Sequence, residues 1–575
     1  MNIGRREVHY NCHKIEERLN TMKKHFTRIM TAALAVFLLT SSLGSALACT
    51  GLYVGKDVSA DGSIIIGRCE DIGAVYDKLQ TYVPASDVAG RTMDDINGFS
   101  YPLPAHTHGY TQMEDYPAAG DGLYAAVCVN DVSVSITGTV SASGCAAWRK
   151  VDPTVKDGLR EAVLPALAAT TASTAKEAVE VLCEAVDAYG SAEGNIILIA
   201  DQHEAWILEI YGGKHYVAMK LPDDQVAVFG NHFMIGAIDP EDTENFVVSE
   251  GFAEALEEAE LTKKDEDGKI LAAQSVCDGA RSVGNNLRNW GGMHLLAPSL
   301  AGEEFDNDTF YPLLYTPDEK VTLQDVFAVY RCRYEGTPYD LSLEGQESNR
   351  AIAVSGTPDT HVIQLFEDMP AAHAAVNWLA FTGAEHSVFI PEIAGITELP
   401  AAFGVDAPSY SPDSAYWAFK RICGLADTNR ALYSEGVQNF WKLQEDAFIA
   451  QMPAKLAEVK ALAETDPEAA VDYVNADLAN AYSDVLKKSD VLYSQLLTLV
   501  SKNAGYASSR WSTLTPNVPL RTAAEAKGYT VTWDAAAKAA VLTKGDVTKT
   551  VPVNGKDAVL IDGVTYVPYS FVEGL

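Results

Sequence analysis

Cys49 follows Ala46-Leu47-Ala48, and that position offers a thiol a chemistry that an internal cysteine lacks. A thiolate is a strong nucleophile, but an unperturbed thiol with a pKa of about 8.5 is only a few per cent ionised at neutral pH. A base within hydrogen-bond reach is needed. If the chain is cut after Ala48, Cys49 carries its own, because an α-amine titrates at about 7.7–8.0. Nucleophile and base then share one residue, so nothing is spent on assembling them. Such a residue attacks a carbonyl, and the tetrahedral intermediate calls for oxyanion donors worth about 2.7–4 kcal/mol each. Arg68-x-x-Asp71 offers a cation and an anion to hold thiol and amine in register, although on its own the pair reads more readily as a plain salt bridge.

A hairpin is the element that must bring these groups together. Gly51-Leu52-Tyr53-Val54-Gly55 reads as a strand, Asp61-Gly62 as a turn, and Ser63-Ile64-Ile65-Ile66-Gly67 as a second strand running into Arg68. The far end of that strand returns beside Cys49. A β-rich stretch spans Leu123 to Thr139, and two helices follow. The second opens with a Thr174/Glu177 capping box and stops at Gly190. Ile196–Ala200, Trp206–Ile210, Tyr216–Met219 and Val226–Phe229 then read as successive strands. Strands, a helical pair and more strands predict an α+β fold of layered antiparallel sheets over 49–410. A helical extension is expected over 411–503, a Ser/Thr/Ala-rich linker over 504–516, and a small α/β module over 517–575. Within the last, Val518-Pro519-Leu520 is echoed by Val567-Pro568-Tyr569.

Residues 1–48 read as an export leader rather than as fold. Lys23, Lys24 and Arg28 flank the uncharged apolar run Ile29 to Leu43, and Ala46 and Ala48 are the small residues that a signal peptidase tests. Met22 starts a more typical leader than Met1. The expectation is a bacterial, Sec-exported protein, secreted or at the cell surface, with Cys49 as its first mature residue and no integral membrane segment thereafter. Lipidation is the rival reading of Cys49, but Ala46 stands where a lipoprotein leader usually has leucine, and Leu47 is bulky where a small residue is preferred.

The formal net charge of −35 argues against a nucleic-acid partner, since a phosphate backbone would be repelled. Nine cysteines are present, Cys12 among them lost with the leader, and no C-x-x-C pair marks a zinc or thioredoxin-like site. His106-x-His108 has the spacing of metal ligands without a third, and reads as a solvated loop. No metal and no cofactor is expected.

Several phrases occur together and in order. Cys49-Thr50-Gly51, Gly67-Arg68-Cys69-Glu70-Asp71, Ala192-Glu193-Gly194-Asn195, Trp206–Glu209, Val226–Gly236, Tyr334-Glu335-Gly336-Thr337-Pro338-Tyr339-Asp340 and Ser414–Phe419 closely resemble the dipeptidases of peptidase family C69, from Cys49 to roughly Pro453. The resemblance implies a four-layer αββα N-terminal-nucleophile hydrolase fold and hydrolysis of dipeptides, with a small peptide as substrate. It also implies roles: Cys49 attacks, Arg68 and Asp71 position it, Asn130 and Asn231 stand on the oxyanion side, and Arg288 is the remaining active-site arginine. After Asn130 the sequence runs Asp131-Val132-Ser133 rather than acidic-x-glycine, and Val140 stands where a glutamate is expected, which bears on substrate preference. The carboxy-terminal phrase resembles the stalk-type module named after a copper amine oxidase N-terminal domain and implies surface association, but it holds no copper-ligand set. Two other functions fit this pattern: an acylase of the same fold cleaving bile-salt or penicillin-type amides, and a non-catalytic surface-binding lipoprotein.

Overall fold

The computed structural model describes residues 49–72, 77–115, 120, 122–279, 281–504, 513–554 and 556–575. The leader expected over 1–48 and residues 505–512 of the expected linker lie outside these.

The first strands are β1 (Thr50–Val54), β2 (Ile64–Glu70), β3 (Lys78–Val83), β4 (Tyr110–Asp115), β5 (Ala125–Asn130) and β6 (Ser135–Thr137). Helices α1 (Leu164–Thr171) and α2 (Ala175–Tyr189) come next. They are followed by β7 (Asn195–Ala200), β8 (Ala205–Ile210), β9 (Tyr216–Lys220), β10 (Val226–Phe229) and β11 (Phe246–Val248). Helices α3 (Val283–Leu296) and α4 (Leu323–Arg331) precede β12 (Asp359–Leu365), β13 (Ala375–Phe381) and β14 (Ile390–Ile393). Then come α5 (Ala415–Ala426), α6 (Arg430–Thr465) and α7 (Pro467–Asn503).

Two antiparallel sheets result. One runs β10-β1-β2-β12-β13-β14; the other runs β11-β9-β8-β7-β6-β5-β4-β3, with Val140–Ser141 also pairing to β7. They meet face to face where β2 packs on β6 and β7. Helices α1 and α2 cover the outer face of the second sheet, while α3 lies on β10, α5 on β13 and α7 on β14 of the first. The order is therefore α, β, β, α, as the sequence phrases imply. Strands covered on both faces bury their side chains: β1, β2, β7, β8 and β10 are buried end to end, and all but β2, which carries Arg68 and Glu70, read as largely apolar runs rather than alternations. The helices of 415–503 pack on this sandwich and form part of its outer layer.

The expected hairpin is present, with β1 pairing β2 from Thr50 opposite Cys69 to Val54 opposite Ile65. Thr174 caps α2, its hydroxyl accepting from Glu177 N at 3.1 Å, while Glu177 reaches back to the Ser173 N–H rather than to that of Thr174. In the carboxy-terminal module the two echoed phrases pair with one another, Val518 opposite Val567. All eight described cysteines are free. Among the described residues no helix is long and apolar enough to cross a membrane.

Candidate active site

Cys49 immediately precedes β1, so the hairpin register that sets Gly51 opposite Arg68 also draws the Arg68 side chain to the thiol. Arg68 Nη2 donates to Cys49 Sγ at 3.1 Å, and Nη1 reaches the Ala126 carbonyl of the facing sheet at 3.5 Å. Both residues are 1% exposed. Gly138 makes the room, because a Cβ there would stand 2.7 Å from Arg68 Nη1. The Asp71 carboxylate, just past the end of β2, accepts from Arg350 Nη2 and Thr357 Oγ1.

A second arginine holds the other side of Cys49. Arg288, on α3 and fully buried, donates through Nη1 to the Cys49 carbonyl oxygen and, at 3.0 Å, to Thr50 Oγ1. Its Nη2 donates to Asn231 Oδ1 at 2.9 Å and to Asn285 Oδ1 at 2.6 Å. Gly230 permits this approach, since a Cβ there would lie 2.7 Å from Nη2. Asn231 follows β10, the strand beside β1. It donates from Nδ2 to the Ser141 carbonyl at 2.9 Å.

Burial raises the Cys49 thiol to about 11, and the Arg68 cation opposes that rise. In the full-length chain, where residue 49 is in peptide linkage, the sulfur is thus neutral at pH 7. Arg288 is lowered to about 10, by burial first and by Arg350 second, and remains a cation at neutral pH. His232, beside Asn231, is held down to about 3 by burial, Arg288 and Arg281, so it is neutral and hydrogen-bonded to Asn289 at 2.8 Å.

Of the six residues expected, Cys49, Arg68, Asp71, Asn231 and Arg288 converge, and Asn130 does not. Asn130 ends β5, four residues beyond Ala126 and therefore on the order of 13 Å from the Arg68 contact. Its Nδ2 donates to the Ala169 and Ala172 carbonyls and its Oδ1 accepts from Val132 and Val134 N–H, so both amide hydrogens go to main chain. It staples the β5–β6 turn to α1 and is no oxyanion donor. Arg350, Thr357 and Asn285 escaped the sequence reading because no phrase surrounds them. Glu70 sat in a recognised phrase without a role, although strand alternation puts it on the same face as Arg68.

Peptidase family C69 matches residues 48–443. The chain belongs to peptidase family C69. It is a peptide-bond hydrolase. Relatives of this C69 peptidase include "Probable dipeptidase B" of Streptococcus pyogenes serotype M1, 30% identical over 492 residues, covering 83% of this chain and 98% of that one. "Dipeptidase A" of Lactobacillus helveticus is 27% identical over 443 residues, covering 73% and 88%. "Probable dipeptidase" of Latilactobacillus sakei is 29% identical over 404 residues, covering 69% and 84%. A conjugated bile acid hydrolase from Clostridium perfringens aligns over 58% of this chain and 89% of that one at 11% identity and a TM-score of 0.29.

Residues 515–575 match the copper amine oxidase N-terminal domain. That segment of the C69 peptidase contains no His, Cys or Met, so its donor set does not fit copper. Elsewhere, Glu385, His386 and Asp427 approach one another, but Arg430 already pairs with both carboxylates. His106 and His108 are engaged by Asp87 and Asp131.

Proposed function

We propose that this peptidase hydrolyses dipeptides outside the cell, with Cys49 as nucleophile once the chain is cut between Ala48 and Cys49. The observation that carries the reading is the double clamp on one residue, Arg68 at the Cys49 sulfur and Arg288 at its carbonyl oxygen. The names of the relatives favour dipeptides. Cleavage frees an α-amine beside the thiol, and the Asp71 carboxylate supplies an anion for its ammonium form. The thiol gives its proton to the amine, the sulfur attacks the scissile carbonyl, and the amine returns the proton to the leaving nitrogen. Arg68 favours the thiolate, and the second hydrogen of Asn231 Nδ2 is suited to the developing oxyanion. Water then releases the acyl group. The same reading includes surface association through residues 515–575.

Cys49→Ala and Cys49→Ser are expected to abolish turnover of a dipeptide panel, and amino-terminal sequencing of exported protein is expected to begin at Cys49. Full activity in the alanine variant ends the proposal, and turnover of bile-salt or penicillin-type amides alone moves it to an acylase. The pH dependence has a definite sign. A thiol raised to about 11 stays protonated until the pH approaches that value, so alkylation of Cys49 in the uncut chain should climb toward a midpoint near 11. Cutting should lower that midpoint, as read by mass spectrometry at Cys49. Identical midpoints before and after cutting would sink the activation step.

A further inference from the structure

Behind Cys49 lies a buried charge pair that the steps above leave unused. Arg68 and Glu70 are two residues apart on β2, so both point into the space between the sheets. Glu70 Oε1 lies 3.5 Å from Arg68 Nη2, the nitrogen that donates to the sulfur. From β3 of the facing sheet, the Lys78 ammonium contacts the other Glu70 oxygen and also donates to Asp115, its cross-strand neighbour on β4. Glu70 is fully buried and Lys78 is 1% exposed. Taking these ions out of water is costly, and apolar residues of equal volume would join the two sheets at least as well. Cohesion alone does not account for the pair.

What the pair does accomplish is directional. Among the described ion pairs, Glu70 is the carboxylate within ion-pair distance of the Arg68 guanidinium. We propose that Glu70 and Lys78 are positioning residues, Lys78 holding Glu70 and Glu70 holding Arg68 against the sulfur of Cys49. The proposal rests on Cys49 being the nucleophile. Lys78 does more than fill space: burial raises Glu70, and the Lys78 ammonium is the largest influence opposing that rise. Without Lys78 the burial of Glu70 is less opposed, which shifts its carboxyl toward the protonated form and loosens its hold on the guanidinium. Glu70→Gln imitates that released state, so the two substitutions act on one link and their effects do not add.

The groups facing Cys49 and Arg68 are Glu70 on β2 and Asp71 just past it, Asp359 and His361 on β12, Tyr330 on α4, Arg288 on α3, and Arg350. Lys78, Asp115, Tyr124 and Glu161 face them from the other side. Apart from Glu70 and Lys78, none of these groups is altered by the test. Lys78→Met, Glu70→Gln and the double variant are compared with the parent in kcat, KM, thermal midpoint, and the pH midpoint for alkylation of Cys49. All three are expected to lose about 10- to 100-fold in kcat, the scale of an ångström-sized misplacement, with KM little changed. The double variant should be no worse in kcat than either single one, because both substitutions break the same link. Lys78→Arg should retain most activity.

Removing the Glu70 charge without moving Arg68 would lower the alkylation midpoint, whereas a released Arg68 raises it. The expected result is therefore an upward shift in every variant but Lys78→Arg. A downward or absent shift, parental kcat, or losses that multiply in the double variant would overturn the proposal. Inactive Cys49 variants beside fully active Glu70 and Lys78 variants refute the positioning roles alone. An active Cys49→Ala refutes the nucleophile itself.

Discussion

Asn130 and Asn231 stand at the ends of buried strands in opposite sheets, and each donates its amide to a main-chain carbonyl, yet they serve different ends. Asn130 closes the turn after β5, and every partner of its side chain is main chain, from Ala169 and Ala172 of α1 or just beyond it and from Val132 and Val134 of its own turn. Asn231 accepts instead from Arg288, the side chain that also holds the Cys49 carbonyl. The cause is which strand each one ends. Asn231 leaves β10, which pairs with β1 and so runs beside the nucleophile. Asn130 leaves β5, whose neighbours are β4 and β6. Residue type at a strand end supplies the hydrogen bonds, and the neighbouring strand determines what they serve.

That contrast can be tested by paired substitutions. The largest effect belongs to Asn231→Ala, expected to reduce kcat by about 10²- to 10³-fold, or about 2.7–4 kcal/mol, as for loss of one oxyanion donor. Its thermal midpoint should stay close to the parent's. Asn130→Ala should behave the other way, with parental kcat and a stability loss of about 1–3 kcal/mol for buried main-chain groups left unpaired, read from urea unfolding. A fall in kcat without a fall in stability at Asn130 would restore it to the site and break the contrast. Asn285→Ala should give the smallest change, about 0.5–1.5 kcal/mol in kcat/KM, because Arg288 keeps Asn231 and Thr50 when Asn285 is lost. If Asn285→Ala matched Asn231→Ala, Asn231 would be acting only as a prop for Arg288.

Much of the fold was legible because its signals are local. The strands Asn195–Ala200, Ala205–Ile210, Tyr216–Lys220 and Val226–Phe229 lie within a residue of their expected limits, since apolar runs bounded by turns need no distant information. What those runs could not convey is that the fourth of them leaves its sheet. The first three form a meander, but β10 crosses to pair with β1, and an apolar run reads the same in either sheet. Asn130 was misassigned for the same reason. Arg350 was missed because it meets Asp71 across nearly three hundred positions with no surrounding motif.

From the order of its amino acids alone, this chain specified the β1–β2 hairpin and hence the meeting of Cys49 with Arg68, because strand period and a tight turn are short-range properties. The Arg288 clamp, the Lys78–Glu70 contact and the diversion of Asn130 were settled by packing. Each depends on which sheet faces which, and the Arg288 clamp also on the empty volume at Gly230, and no periodicity along the chain encodes those distances.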